Sequence, residues 1–303
     1  MEAWIPITLL AAAAQTVRFM LQKHLNTTRL STAGATFARF VYSAPLVAAL
    51  ILLYAGISGQ ALPGTSVRFW TYAAIGGTTQ VLATLCVVAL FQQRNFAVGI
   101  TFKKTEVLQT AIVGFVLLGE AVSLWGALAL IVGFVAVLVL SGGGAKSDAG
   151  KPFGLRNKAA GLGLLSGVFF AFSAVTYRGA SLSLDSGDVA LRAGFTLMVV
   201  TALQTGGMAI WFALRDRAQV AEVFRAWRVA GLVGLASMVG SFCWFTAFTL
   251  QNAAYVNALG QVELIFSMAA SVLFFREKIS GRELFGILLL LVSILILGFV
   301  TLS

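Results

Sequence analysis

The chain has 303 residues, of which 59% are hydrophobic and only 11% charged, and its mean hydropathy is +0.93. A soluble domain carries about 25% charged residues, so this sequence lacks the polar surface to face water and takes the bilayer as its solvent. The net charge of +10 is then no sign of a nucleic-acid partner, because most lysines and arginines stand in short loops between apolar runs, where they report topology.

Ten apolar segments in chain order reach the ~20 residues that a spanning helix needs: 4–22, 33–56, 69–92, 96–118, 122–142, 159–182, 188–214, 228–250, 253–275 and 281–302. The first contains the alanine-rich run Leu9 to Ala14, but its start, Met-Glu-Ala, has no positive charge and the apolar stretch continues to Leu21. A retained first helix is predicted rather than a signal peptide. The joints carry breakers such as Gly56 to Pro63, Gly119-Glu120 and Ser280-Gly281. The longest connection, Gly142 to Lys158, is a glycine-rich polar linker at the centre of the chain. Cys86 and Cys243 fall inside apolar runs and spell no zinc or disulfide pattern, so they read as small packing residues, and His24 reads as a solvated loop residue.

The central linker suggests an internal repeat. A shift of 157 residues places Gly77 on Gly234, Cys86 on Cys243, Asn95 on Asn252, Glu106 on Glu263 and Glu120 on Glu277 without gaps. Shared apolar letters mean little, but buried glutamates and an asparagine in register indicate duplication. Arg39 and Arg192 pair after a small change in loop length. The fold class expected is therefore an all-α membrane protein of ten transmembrane helices, built as two inverted five-helix repeats, 1–142 and 159–303, with a flexible linker at 143–158.

Five helices per repeat put the second half into the membrane in the opposite sense, and loop charges agree. Fourteen basic residues, from Lys23 to Arg282, follow helices 1, 3, 5, 7 and 9, whereas the other loops hold only Arg68. By the positive-inside rule this places both termini outside. Trp4, Trp70, Trp125, Trp211 and Trp227 near helix ends fit an interfacial belt, and Trp244 lies well inside its helix.

Leu117-Leu118-Gly119-Glu120, repeated as Phe274-Phe275-Arg276-Glu277, together with Ala38-Arg39-Phe40 and Leu191-Arg192, resembles the drug/metabolite transporter superfamily and its EamA-type members. The likeness covers nearly the whole chain. It implies alternating access around a central cavity, usually for export of amino acids, nucleotide-like metabolites or drugs, in an inner (plasma) membrane. One feature departs from the pattern: bacterial members usually keep both termini in the cytoplasm, with positive charge between helices 2 and 3.

An ionisable group near the midplane costs roughly 2.5–3.5 kcal/mol, so each one asks for a reason. In the fourth segment Gly99, Lys103, Glu106 and Thr110 form a polar stripe at helical spacing, with Lys104 beside it. Lys103 and Glu106 are i,i+3 neighbours that can neutralise each other. The ninth segment repeats the stripe as Gly260, Glu263, Ser267 and Ser271 without a lysine. Glu263 must then find Lys103, Lys104 or an arginine across the molecule, or stay protonated through desolvation and serve as a proton carrier. Arg18 and Arg178 are assigned to helix ends, where long side chains snorkel to water. Arg39 and Arg192 lie deeper, as fold anchors or site residues. Trp244 is a candidate stacking wall, and Gln15 and Gln204 are further mid-helix polar groups.

The candidate transport residues are thus Lys103, Lys104, Glu106, Thr110, Glu263, Ser267, Trp244, Arg39 and Arg192. They suit a secondary transporter of a small polar, zwitterionic or anionic metabolite, with protons as a candidate coupling ion and a monomer or homodimer as the unit. A buried network that specifies helix packing is the structural alternative. The competing functions are a multidrug exporter of lipophilic cations, which the lysines oppose, and a lipid flippase or scramblase. No cofactor, metal or catalytic motif is expected: HExxH, GxSxG and phosphate-binding loops are missing from the sequence.

Overall fold

A computed structural model of the protein describes residues 2–91, 103–141, 158–266 and 281–302. Among these, eleven helices follow one another: α1 Trp4–Thr28, α2 Thr32–Ser58, α3 Val67–Leu90, α4 Glu106–Leu118, α5 Leu124–Ser141, α6 Lys158–Leu182, α7 Val189–Arg215, α8 Arg217–Arg225, α9 Trp227–Leu250, α10 Ala253–Gly260 and α11 Gly281–Leu302. The linker, Gly99, Ser267, Ser271 and the 274–277 motif lie outside the described residues.

Local chemistry sets the helix ends. Ser31 accepts the Gly34 amide at 3.0 Å, Ser66 that of Phe69 at 3.2 Å, and Asp188 that of Leu191 at 2.8 Å. Each side chain satisfies an amide that the first turn leaves unpaired. Gly59 and Gly119 close α2 and α4 at φ 67° and 69°, the left-handed conformation that glycine adopts without strain.

Helices α1, α2, α3, α6, α7 and α9 are long and apolar enough to cross a membrane, and α4, α5 and α11 contain shorter apolar runs. Two predicted segments differ from the continuous helices expected. The fourth has a turn at Lys104–Thr105 before α4, and the ninth has one at Gln261–Val262 after α10. The residues around both turns read the same in the backbone and stand 157 apart. α8 was not anticipated: Val220, Val223 and Phe224 recur at helical spacing in a segment too short and too charged to register as a span.

The most extensive pairings cross between the two halves of the chain. α3 lies along α6, α1 along α9, α5 along α11 and α2 against α7. Apolar side chains face outward, Ile57, Val67, Leu124 and Leu214 being 78–87% exposed. Arg18, Gln22, Arg39, Lys103, Lys104, Gln204, Asn257 and Gln261 are buried. This polarity inverts that of a water-soluble protein and suits a lipid solvent around a polar centre.

Candidate functional site

The two turns come together through Lys104 and Glu263, and glycines let neighbouring elements pack closely against them. After α10 the Gln261 and Val262 amides reach back only three residues, to Ala258 at 3.2 Å and Leu259 at 3.1 Å, tightening the last turn. Gly260 permits this turn to touch α9, because a Cβ there would run into the Trp244 indole. On the other side, Gly167 of α6 lets its backbone approach the first break. A Cβ at Gly167 would stand 3.0 Å from the Lys103 carbonyl.

Each break carries a glutamate, and each glutamate has a lysine. Lys103 Nζ lies 3.1 Å from Glu106 Oε2 and 5.0 Å from the centre of the Phe170 ring. Lys104 forms an ion pair with Glu263, joining the two halves directly. Glu263 also accepts a hydrogen bond from Gln15 Nε2 at 2.8 Å, and the same amide's Oε1 accepts from Arg18 Nη2 at 3.3 Å. Glu263 is therefore held by partners from α1 and from the other break. Of the alternatives open to Glu263, the fold supplies Lys104 across the molecule, so the glutamate is not left without a partner.

Arg39 reaches the same centre, donating to Thr84 Oγ1 at 2.8 Å and Ser241 Oγ at 3.4 Å. Thr110 accepts from Asn257 Nδ2 at 2.9 Å and donates to the Glu106 carbonyl at 2.7 Å, binding α4 to α10. Trp244 stacks on Phe248 at 5.6 Å between ring centres, and its Nε1 has no hydrogen-bond partner among the described residues. Arg39, Lys103, Glu106, Trp244, Asn257 and Glu263, with Gln80, Ser173, Tyr177 and Gln261, line a cavity of about 50 Å³, whereas Lys104 and Thr110 stand outside its lining. Ligand sites span about 300–1,000 Å³, so this conformation holds only a few waters.

Three expectations change. Arg192 does not line the cavity, and its Nε finds no partner among the described residues. The helix starts explain this: α2 and α7 begin at Thr32 and Val189, again 157 apart, so Arg39 stands eight residues past its cap and Arg192 only four. Arg18 does not snorkel, because α1 continues to Thr28, which leaves the guanidinium ten residues from the helix end and buried. Arg178 is likewise tied down, donating to Glu120 Oε1 at 2.6 Å and to the Phe248 and Gln251 carbonyls at 2.6 and 2.8 Å. It fastens the end of α6 to the ends of α4 and α9.

Asn257, Gln261, Gln80 and Ser173 went unnoticed in the sequence. Their signal was present: each is an uncharged polar residue inside an apolar run, and Asn257 and Gln261 stand four apart on one helical face.

Apolar outer faces around an ion-paired polar centre define a polytopic helical membrane protein with a polar internal site. Residues 157–299, the second half of the chain, match the model of the EamA-like transporter family. The resemblance to the drug/metabolite transporter superfamily thus holds, and the family is one of membrane transporters rather than enzymes. A solved protein crystal structure is similar over 98% of this chain and 97% of its own, with a TM-score of 0.70 at 14% identity, a likeness of fold alone. No curated protein matches the sequence.

Proposed function

We propose that this protein is a secondary transporter that exports a small anionic or zwitterionic metabolite, such as an amino acid, across the inner (plasma) membrane by alternating access. The observation that carries this reading is the charge balance at the centre. Among the described residues, four buried cations, Arg18, Arg39, Lys103 and Lys104, surround two carboxylates, Glu106 and Glu263. Arg39 and Lys103 line the cavity, and Arg18 and Lys104 adjoin it through Gln15 and Glu263; an excess of positive charge around this low-dielectric centre attracts a carboxylate or phosphate and repels a lipophilic cation. A substrate carboxylate would replace Glu106 or Glu263 on its lysine, and a substrate amine would meet the glutamate released. Trp244 Nε1, which has no partner among the described residues, offers one more donor.

Ten spans in two inverted five-helix repeats, 1–142 and 159–303, accommodate this mechanism. The support is the 157-residue offset shared by the two breaks and by α2 and α7, and the exchange of partners between α3–α6 and α1–α9. Discontinuous helices meeting at a repeat interface are where secondary transporters bind substrate. Because the cavity is small, admitting a substrate requires one half to rock against the other.

Purified protein screened by thermal shift tests the substrate class. An occupied site stabilises by about 2.7 kcal/mol at a hundredfold excess of ligand over Kd. Anionic and zwitterionic metabolites should raise the melting temperature, and Lys103→Gln or Lys104→Gln should remove the shift. Stabilisation and counterflow by lipophilic cations alone would overturn the reading. The loop charges favour outside termini. In a background lacking Cys86 and Cys243, Ser147→Cys should resist an impermeant thiol reagent in intact cells while Ser303→Cys reacts; the reverse pattern would restore cytoplasmic termini.

A further inference from the structure

A second basic centre stands apart from the transport cavity, at the C-terminal end of α1. His24, Thr28 and Arg29 face Arg225, Trp227 and Arg228 across a pocket of about 390 Å³. Its floor is apolar, with Leu25 and Ala226 buried beneath the charged rim. His24, Arg29, Arg225 and Arg228 are all exposed, so their charged ends are available to a ligand. The acid facing them is Glu222, which sits 2.5 Å from Arg225. Both side chains of that pair are largely exposed, and surface pairs of this kind are weak and exchangeable. Even counting Glu222, three arginines leave the rim net positive.

The surroundings identify the phase that meets this rim. α8 buries Val223 and leaves Phe224 half exposed, while Trp227 is 61% exposed beside Arg228, whose guanidinium lies 5.7 Å from its ring. A short amphipathic helix followed by an exposed tryptophan belongs at the interface between headgroups and acyl chains. We propose that this pocket binds the phosphate headgroup of an anionic phospholipid from the adjacent leaflet, with Arg29, Arg225 and Arg228 on the phosphate and Trp227 and Phe224 against the acyl chains. The pocket opens on the side that carries most of the loop lysines and arginines, where anionic lipid concentrates if that side is cytoplasmic.

The test uses the full chain in nanodiscs of neutral lipid doped with phosphatidylglycerol, with retained lipid counted by native mass spectrometry. Each surface arginine is worth about a fivefold change in lipid affinity. Arg29→Gln, Arg225→Gln and Arg228→Gln should each weaken phosphatidylglycerol retention about fivefold, and the triple variant on the order of a hundredfold. Arg217→Gln, on the same short helix but outside the pocket, should retain lipid as the unsubstituted protein does. Equal losses in all four single variants would reduce the effect to diffuse attraction and overturn the site. So would unchanged retention in the triple variant. If inorganic phosphate alone protected the detergent-solubilised protein with the same arginine dependence, and phosphatidylglycerol added nothing, the ligand would be a soluble anion instead. None of these outcomes depends on which metabolite the central cavity carries.

Discussion

The two helix breaks are alike in backbone and opposite in chemistry. At the first, Lys103 and Lys104 precede Glu106; at the second, Gly260 and Gln261 precede Glu263, 157 residues on. One break supplies both cations. The other supplies space, since Gly260 admits the Trp244 ring. Lys104 then serves the glutamate of the opposite half, so the pairs are asymmetric: Lys103–Glu106 is local and Lys104–Glu263 bridges the halves. The two breaks thus share a backbone geometry while their side chains differ, and the bridging pair is the one that any relative movement of the halves must strain.

The largest effects should come from unbalancing these pairs. Glu263→Gln leaves Lys104, which is 2% exposed, without its carboxylate. Removing one member of a buried pair costs about 3–5 kcal/mol, measurable as a fall in melting temperature in detergent. Glu106→Gln should cost less, because Lys103 keeps its contact with Phe170. The double variant Lys104→Gln/Glu263→Gln separates structure from transport: neutralising both members should recover most of the stability but not substrate binding. Recovery of transport as well would make the bridge a packing device. Equal losses from Glu106→Gln and Glu263→Gln would remove the asymmetry between local and bridging pairs.

An intermediate effect is expected where the second break supplies space. Gly260→Ala forces a methyl group into the Trp244 ring, an overpacking worth about 1–3 kcal/mol. Trp244→Leu should relieve that clash in the double variant while removing the cavity wall. Chemical denaturation reads the stability and substrate-induced thermal shift reads the site. If Gly260→Ala alone were neutral, the close approach would not be what shapes the second break.

Much of the fold was legible because lipid and helix impose simple rules. Apolar runs of spanning length and turn residues between them marked the helices, and glutamates in register marked the 157-residue offset that the two breaks share. The breaks were not legible: a turn at Lys104–Thr105 or Gln261–Val262 removes only a few hydrogen bonds and leaves the apolar pattern almost unchanged. Cavity-lining residues stood out where charge in an apolar run is conspicuous, as at Lys103, Glu106 and Arg39. Asn257 and Gln261 were missed because an amide costs too little to stand out. Arg18 was misplaced because α1 extends past its apolar stretch, and Arg192 because aligning arginine to arginine overrode the helix starts.

Those helix starts give a second, milder comparison between the halves. α2 begins at Ser31, a neutral cap, and α7 begins at the equivalent Asp188, a charged one. Asp188 receives the Leu191 amide at 2.8 Å, the Tyr54 hydroxyl at 2.7 Å and the Gln60 amide at 3.0 Å. The Leu191 amide first, and the Tyr54 hydroxyl after it, hold its carboxyl below the usual carboxylate value. The folded state then binds the proton less readily than the unfolded chain, so the stabilisation is fully present above the unfolded carboxylate value of about 3.9. It is lost as pH falls through the lower folded value. Asp188→Ala should cost about 0.5–2 kcal/mol near neutral pH, the usual worth of an N-cap. Asp188→Asn should keep the cap and flatten this part of the acid dependence, whereas Ser31→Ala should shift stability equally across the range. Melting temperature followed from pH 6 downward distinguishes them. Parallel curves for the unsubstituted protein and Asp188→Asn would mean that the charge of the second cap adds nothing to what a neutral oxygen provides.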